Sequence, residues 1–245
     1  MPILSAFGGH RYGDPMGREI EERRRVRVEF PVTPEQVLLV LLAVAAGFFA
    51  VSLVLGLRQQ PTGFEDSTIL RYLSLDRDHS LPTWFSASVL LGAAVLALAA
   101  STGAGSRRRL WWVLSAFLLV MSADEVVQAH QQLGNRIHDA YDTHGLLYFA
   151  FGLPGAVIVV AAVVAFAPLV RRLEPTTRRV FVAGAAVYVL GALLIEAVNG
   201  AVSDSIGQSN NWYVLGTNVE ELCEMVGACL VVYALTRQVS GSTPG

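Results

Sequence analysis

Residues 37–57 read VLLVLLAVAAGFFAVSLVLGL, an unbroken stretch in which no side chain is charged and only Ser52 can hydrogen-bond. A bilayer core about 30 Å thick is crossed by about 20 residues rising 1.5 Å each, so this run has the length of one membrane crossing. Five more runs follow at 84–102, 110 to about 133 with a more polar end, 145–170, 180–202 and 212–236. The composition agrees, with 53% hydrophobic and only 16% charged residues where a soluble domain carries about a quarter charged. The expected fold is an all-α, polytopic bundle of six transmembrane helices.

The charges lie in blocks between the apolar runs. With the N-terminus in the cytoplasm, fourteen of the eighteen basic residues fall on the cytoplasmic side, in the 11–27 segment, at 107–109, 171–179 and Arg237. Arg58, Arg71, Arg77 and Arg136 fall on the other side. That asymmetry is the positive-inside pattern, and it predicts both termini inside and a multi-pass protein of the plasma membrane. Trp84 and Trp212 would open their helices at the outer interface, and Trp111 and Trp112 at the inner one. Residues 1–35 form a polar, basic segment unlike a cleaved signal peptide, 36–237 the membrane domain, and 238–245 a disordered Ser/Gly/Pro tail. The outer loop 59–82 contains a stretch around 65–75 expected to form a short surface helix, and Pro82 with Thr83 is expected to start the second span. Cys223 and Cys229, six apart in one run, cannot pair locally and are expected as small apolar residues.

The third span changes character at Ser122, Asp124, Glu125, Gln128, His130, Gln131 and Gln132. On a straight helix, Asp124, Glu125, Gln128, Gln131 and Gln132 share an arc of about 120°, whereas His130 joins them only if the helix bends. The sixth span meets Glu220, Glu221 and Glu224 about 12–18 Å from Trp212, with Thr217 in the same arc. Glu196 and Asn199 form an i, i+3 pair on the fifth span, and His144 and Tyr148 an i, i+4 pair on the fourth, preceded by His138, Asp139 and Asp142. Polar residues from four helices therefore collect in the outer half.

Left unpaired and ionised, Asp124, Glu125, Glu196, Glu220, Glu221 and Glu224 would cost of order 10–20 kcal/mol together. No arginine lies in the outer halves of the spans, so the balance must come from protons, from water in an outward-open cavity, or from a cation. An isolated buried acid can serve packing alone, but six of them point to a functional site. The candidate catalytic residues are Asp124, Glu125, Glu221 and Glu224. The candidate metal ligands are Asp124, Glu125, His130, His144, Glu196, Glu220, Glu221 and Glu224, for a divalent zinc, iron or manganese ion suited to mixed carboxylate and imidazole.

Residues 82–86, Ser122 to Glu125 followed by His130, and Glu220-Glu221 followed by Glu224-Met225 resemble a group of uncharacterised six-span membrane proteins from actinobacteria and other bacteria. A looser similarity, carried by Ser122, Asp124, His130, His138 and His144, is to the membrane hydrolase superfamily of alkaline ceramidases and adiponectin receptors. That likeness implies zinc and a hydrolase, although the histidines of that superfamily's last helix are here Glu220, Glu221 and Glu224. The leading expectation is a site that acts on a lipid or amphiphile, either with a cation activating water and one glutamate as general base, or without metal and with a protonated acid as donor. A proton- or cation-coupled transporter or channel, and an accessory subunit of a membrane complex, are the alternatives. Membrane lipid is the expected partner, and no nucleic acid is.

Overall fold

The computed structural model describes residues 32–59, 68–77 and 79–241. The expectations for residues 1–31, for 60–67 and for 242–245 lie outside the described residues. Every regular element among the described residues is helical, as the runs predicted.

Helix α1, Pro34–Gln59, starts on a reciprocal cap: the Gln36 N–H donates to Thr33 Oγ1 at 3.2 Å while the Thr33 N–H donates to Gln36 Oε1 at 2.9 Å. A short α2, Thr68–Leu73, lies within the stretch expected to form a surface helix. Helix α3, Leu81–Ala100, is capped one turn earlier than expected, by Ser80, whose side chain accepts from the Thr83 N–H. Two 3-10 turns lead into α4, Arg108–Val127. Helix α6, Gly152–Val170, begins seven residues later than its apolar run, after a 3-10 turn at Gly145–Leu147. Helix α7, Pro175–Val189, passes through a π-helical segment, Leu190–Ile195, into α8, Glu196–Ile206. Glu174 caps α7 by accepting from the Thr177 N–H at 2.9 Å. Backbone N–H groups, that of Thr176 foremost, hold the Glu174 carboxyl below its usual range.

The third run does not continue as one helix to 133. It stops at Val127, Gln128 takes a left-handed conformation at φ 55°, and α5, Ala129–Tyr141, sets off in a new direction. The expected single polar face from Asp124 to Gln132 is therefore broken, because Gln131 and Gln132 belong to a different axis.

Helix α9, Asn211–Gly241, is the centre of the bundle and packs against α1, α3, α7 and α8. Against α7 it comes close through glycines: a Cβ at Gly227 would lie 2.6 Å from the Tyr188 backbone nitrogen and 2.7 Å from the Gly184 carbonyl oxygen. Small residues let helix backbones approach in a membrane, where lipid offers no hydrophobic drive between helices. Helices α3 and α4 are joined by two hydroxyls seven residues apart, Ser115 donating to the Ala94 carbonyl at 2.8 Å and Ser122 to the Ala87 carbonyl at 2.7 Å.

Five helical stretches among the described residues are long and apolar enough to cross a membrane: Pro34–Arg58, Leu81–Gly103, Gly105–Val127, Gly152–Val170 and Pro175–Ile206. Val157 and Val164 on α6 are each 70% exposed, which suits lipid and would be costly in water. The chain is a multi-pass membrane protein. Helix α9, 31 residues long, also has the length to cross a membrane, but Glu220, Glu221 and Glu224 interrupt its apolar character.

Candidate functional site

The break at Gln128 decides the first part of the site. Turning the chain there brings His130 back over the last turn of α4, where Asp124 Oδ1 accepts from the His130 backbone N–H at 3.2 Å and Asp124 Oδ2 pairs with the ring Nδ1. The bend on which His130 depended is thus present. Phe151, its ring centroid 5.3 Å from that of His130, covers the imidazole from the α6 side. Gly134 lets α5 settle there, since a Cβ would lie 3.2 Å from the Phe151 backbone nitrogen.

Glu125, the next residue of α4, reaches across the bundle. Its Oε1 accepts from the Tyr188 hydroxyl of α7 at 3.0 Å. Glu224 on α9 interacts with the same hydroxyl. Tyr188 thus stands between carboxyls of two other helices. What places it there is the glycine contact beneath it, because Gly227 packs directly on the Tyr188 backbone.

The π-helical segment brings in the next acid. On an uninterrupted α-helix Tyr188 and Glu196 would point about 80° apart, and one residue taken out of phase reduces that to about 20°. Gly191, inside the segment, rests on α9 where a Cβ would lie 2.7 Å from the Glu220 carbonyl oxygen and 3.1 Å from Glu224 Cγ. Glu196 is electrostatically linked with His130, and Glu220 with Glu224, Glu196 and Asp76. Glu221 adjoins Glu224 and interacts with it. Asn199, buried, donates from Nδ2 to Thr217 Oγ1 at 2.7 Å and contacts Glu220. At the start of α9, the Tyr213 hydroxyl donates to Asp76 Oδ1 at 3.2 Å.

Asp124, Glu125, His130, Glu196, Glu220, Glu221 and Glu224 therefore gather in one half of the bundle. His144 does not join them. It sits outside any long helix, in a surface group where its Nδ1 is 3.1 Å from Asp204 Oδ1 and its Nε2 is 3.5 Å from Asp142 Oδ1. Asp204 Oδ2 also accepts from the Gly145 N–H at 2.8 Å, so this carboxylate ties the loop before α6 to the end of α8. The hydrogen bond with Asp204, and then the Asp142 charge, raise the His144 imidazole above its usual range. The expected i, i+4 pairing of His144 with Tyr148 gives way to this contact, and Tyr148 packs against His138 instead, the rings tilted by 60° with 4.9 Å between centroids.

Sequence reasoning missed Tyr188, Tyr213, Asp76 as a partner, and Asp204. Tyr188 left one signal: it is the only side chain from 180 to 195 able to hydrogen-bond.

A divalent metal is what the sequence leads one to expect of these acids and His130. Among the described residues, no group of three or more His, Cys, Asp and Glu side chains is disposed to hold one. Nδ1 of His130 is engaged by Asp124, Glu125 addresses Tyr188, and His144 stands apart. The chemistry that the arrangement can support without a metal is proton transfer.

The opposite half of the bundle is apolar. Leu90, Ala93, Ala94, Ala97, Leu114, Phe166, Leu169, Ala228, Val232 and Leu235 form a continuous core there. Beyond it, Tyr233 donates to Glu35 Oε1 at 3.1 Å and Arg237 lies 3.8 Å from the same carboxylate, tying the end of α9 to the start of α1.

No curated protein and no solved structure matches the chain. One family model does match, over residues 33–239, which takes in α1 to α8 and all but the last two residues of α9; its description is Domain of unknown function (DUF8692). The chain belongs to the DUF8692 family.

Proposed function

We propose that the chain is a plasma-membrane protein of six spans, α9 being the sixth, with both termini in the cytoplasm, and that its outward half holds a protonated carboxyl site acting on a lipid or other amphiphile. The single observation that carries this reading is the position of Tyr188 between Glu125 and Glu224. A tyrosine hydroxyl has one proton to donate. It gives that proton to Glu125, so the neighbouring Glu224 can bond the same oxygen only by bringing a proton of its own. Two carboxylates sharing a low-dielectric site cannot both ionise without a large penalty, which favours the same assignment.

Such a site can protonate the oxygen or nitrogen of a bound headgroup. Glu224 gives up its proton, the carboxylate left behind accepts from Tyr188 in its place, and Glu125 is then the group short of a donor until a proton returns. Glu221, Glu220 and Asp124 border the pair and would orient a substrate as it enters. The amphiphile follows from placement: the acids lie on spanning helices, where a ligand arriving through the outer leaflet meets them. The apolar core in the other half speaks against a transmembrane relay, because the residues that form it offer a crossing proton or cation no charged side chain.

Infrared spectroscopy of the protein in nanodiscs tests the reading. A protonated-carboxyl band should be present at neutral pH and should be lost or halved in E224Q. Absence of such a band in the unmodified protein, or a band untouched by E224Q, would overturn the proposal.

A further inference from the structure

We propose that α5 is a lipid-docking helix: it lies in the membrane interface, with its Leu133 flank set into the leaflet on the side of the carboxyl site. This requires only that the chain be multi-pass, and does not depend on the acids holding protons.

The spans on either side of α5 stop at Val127 and start at Gly152, so the helix is tethered to one membrane boundary from both sides. Its 13 residues rise about 20 Å and cannot themselves cross a core of about 30 Å. They divide into three faces. His130, Gly134 and His138 share an arc of about 80° turned to the protein. His130 and Gly134 meet Phe151 there, and His138 meets Tyr148. Gln131, Gln132, Asn135, Arg136 and Asp139 share an arc of about 140° and are all exposed. On the remaining side Ala129, Leu133, Ile137 and Ala140 fall within about 80°, Ile137 half-buried and the other three exposed.

Leu133, 43% exposed, is not an isolated apolar side chain. Val126 and Val127 are exposed on the last turn of α4, Leu153 on the first turn of α6, and Leu146 and Leu147 on the 3-10 turn between. Gly134 seats α5 on Phe151, one residue before α6 begins, so Leu133 continues the lipid-facing surface of α4 and α6 past the ends of both spans. In water a continuous apolar surface of this kind would be costly, whereas in lipid it is the ordinary condition of the spans beside it. An amphipathic helix with a broad polar face lies in the interface plane, its apolar side about 5–10 Å into the boundary of headgroups and acyl chains. Tyr141, 77% exposed, ends the helix with an amphipathic ring suited to that depth.

Gln128 makes the arrangement possible by ending the axis of α4 at Val127. The junction of α4 with α5, where the side chains of Asp124 and His130 are each 30% exposed, thus opens at headgroup depth, within reach of an amphiphile held in the leaflet.

Spin labels on the protein in nanodiscs measure the depth. In a background carrying C223A and C229A, labels at L133C and A140C should collide with oxygen in preference to a water-soluble nickel chelate, at a depth of about 5–10 Å, and labels at Q132C and N135C should show the opposite preference. Apolar-flank labels that meet the nickel chelate as freely as the polar-face labels would overturn the proposal. Labels shielded from both reagents would overturn it too, since they mark a protein occupant such as a second copy of the chain. A measurement on the unmodified protein covers the case of a labelled variant that does not fold: a phospholipid with a photoreactive diazirine near the carbonyl end of its acyl chain should leave adducts within residues 129–141. Adducts confined to the spans, with none on α5, would overturn the proposal as well.

Discussion

Replacing Tyr188 with phenylalanine removes one oxygen and keeps the ring, so the glycine contact of α7 with α9 beneath it should persist. What disappears is the donor at 3.0 Å to Glu125 and the partner of Glu224. Hydrogen bonds to charged groups contribute about 1.5–3 kcal/mol in water-soluble proteins, while interhelical bonds in a membrane average about 0.6 and reach about 1.7. Two carboxyls lose a partner at once, which places the expected destabilisation at about 1.5–2.5 kcal/mol, a factor of about 10–70 in the folding equilibrium. Reversible unfolding in mixed micelles with increasing denaturing detergent measures it. A double-mutant cycle pairing Y188F with E125Q should return a coupling of about 1 kcal/mol or more, and the same cycle with E224Q a similar value, because each acid addresses the same hydroxyl. Y188F within about 0.5 kcal/mol of the unmodified protein, with no coupling to either acid, would refute the shared-proton arrangement.

G227A places a Cβ 2.6 Å from the Tyr188 backbone nitrogen and 2.7 Å from the Gly184 carbonyl, neither of which can swing away, and should cost about 3 kcal/mol, the upper end for overpacking. G47A, where nothing lies within 4 Å of the new methyl on α1, should be neutral or stabilise by about 0.5–1 kcal/mol, and the same unfolding assay compares the two. Cysteines at Ser209 should react with an impermeant thiol reagent added outside intact cells, and those at Ser106 and Thr176 should not; the reverse pattern would turn the carboxyl site toward the cytoplasm. The His144 contact predicts a pH-dependent tie between the loop before α6 and α8. Because its folded pKa is raised, the stabilisation is complete below the unfolded value near 6.5 and is lost as pH rises through the folded value. Hydrogen-exchange protection of the Gly145 amide, corrected for intrinsic rates, should therefore fall from about pH 6 to about pH 9, and D204N should abolish that trend.

By itself the sequence determined the solvent, the class and the depth of the acids. Apolar runs of about 20 residues admit little except helices in lipid, since each helix satisfies its own backbone there. Distance along a run fixes depth at 1.5 Å per residue, which is why Glu125, Glu196, Glu220 and Glu224 could be assigned to one half before any packing was known. Direction around the axis is legible only while the helix stays regular. The left-handed Gln128 invalidated the face drawn from Asp124 to Gln132 and delivered His130 to Asp124, and the π segment realigned Glu196 with Tyr188. His144 was placed by a contact sixty residues away, with Asp204, to which helical spacing is blind. Only the tertiary structure decided which groups meet across the bundle, because that depends on which helix faces can approach closely. Gly184, Gly191 and Gly227 set that approach, and they put a single tyrosine hydroxyl between two carboxyls.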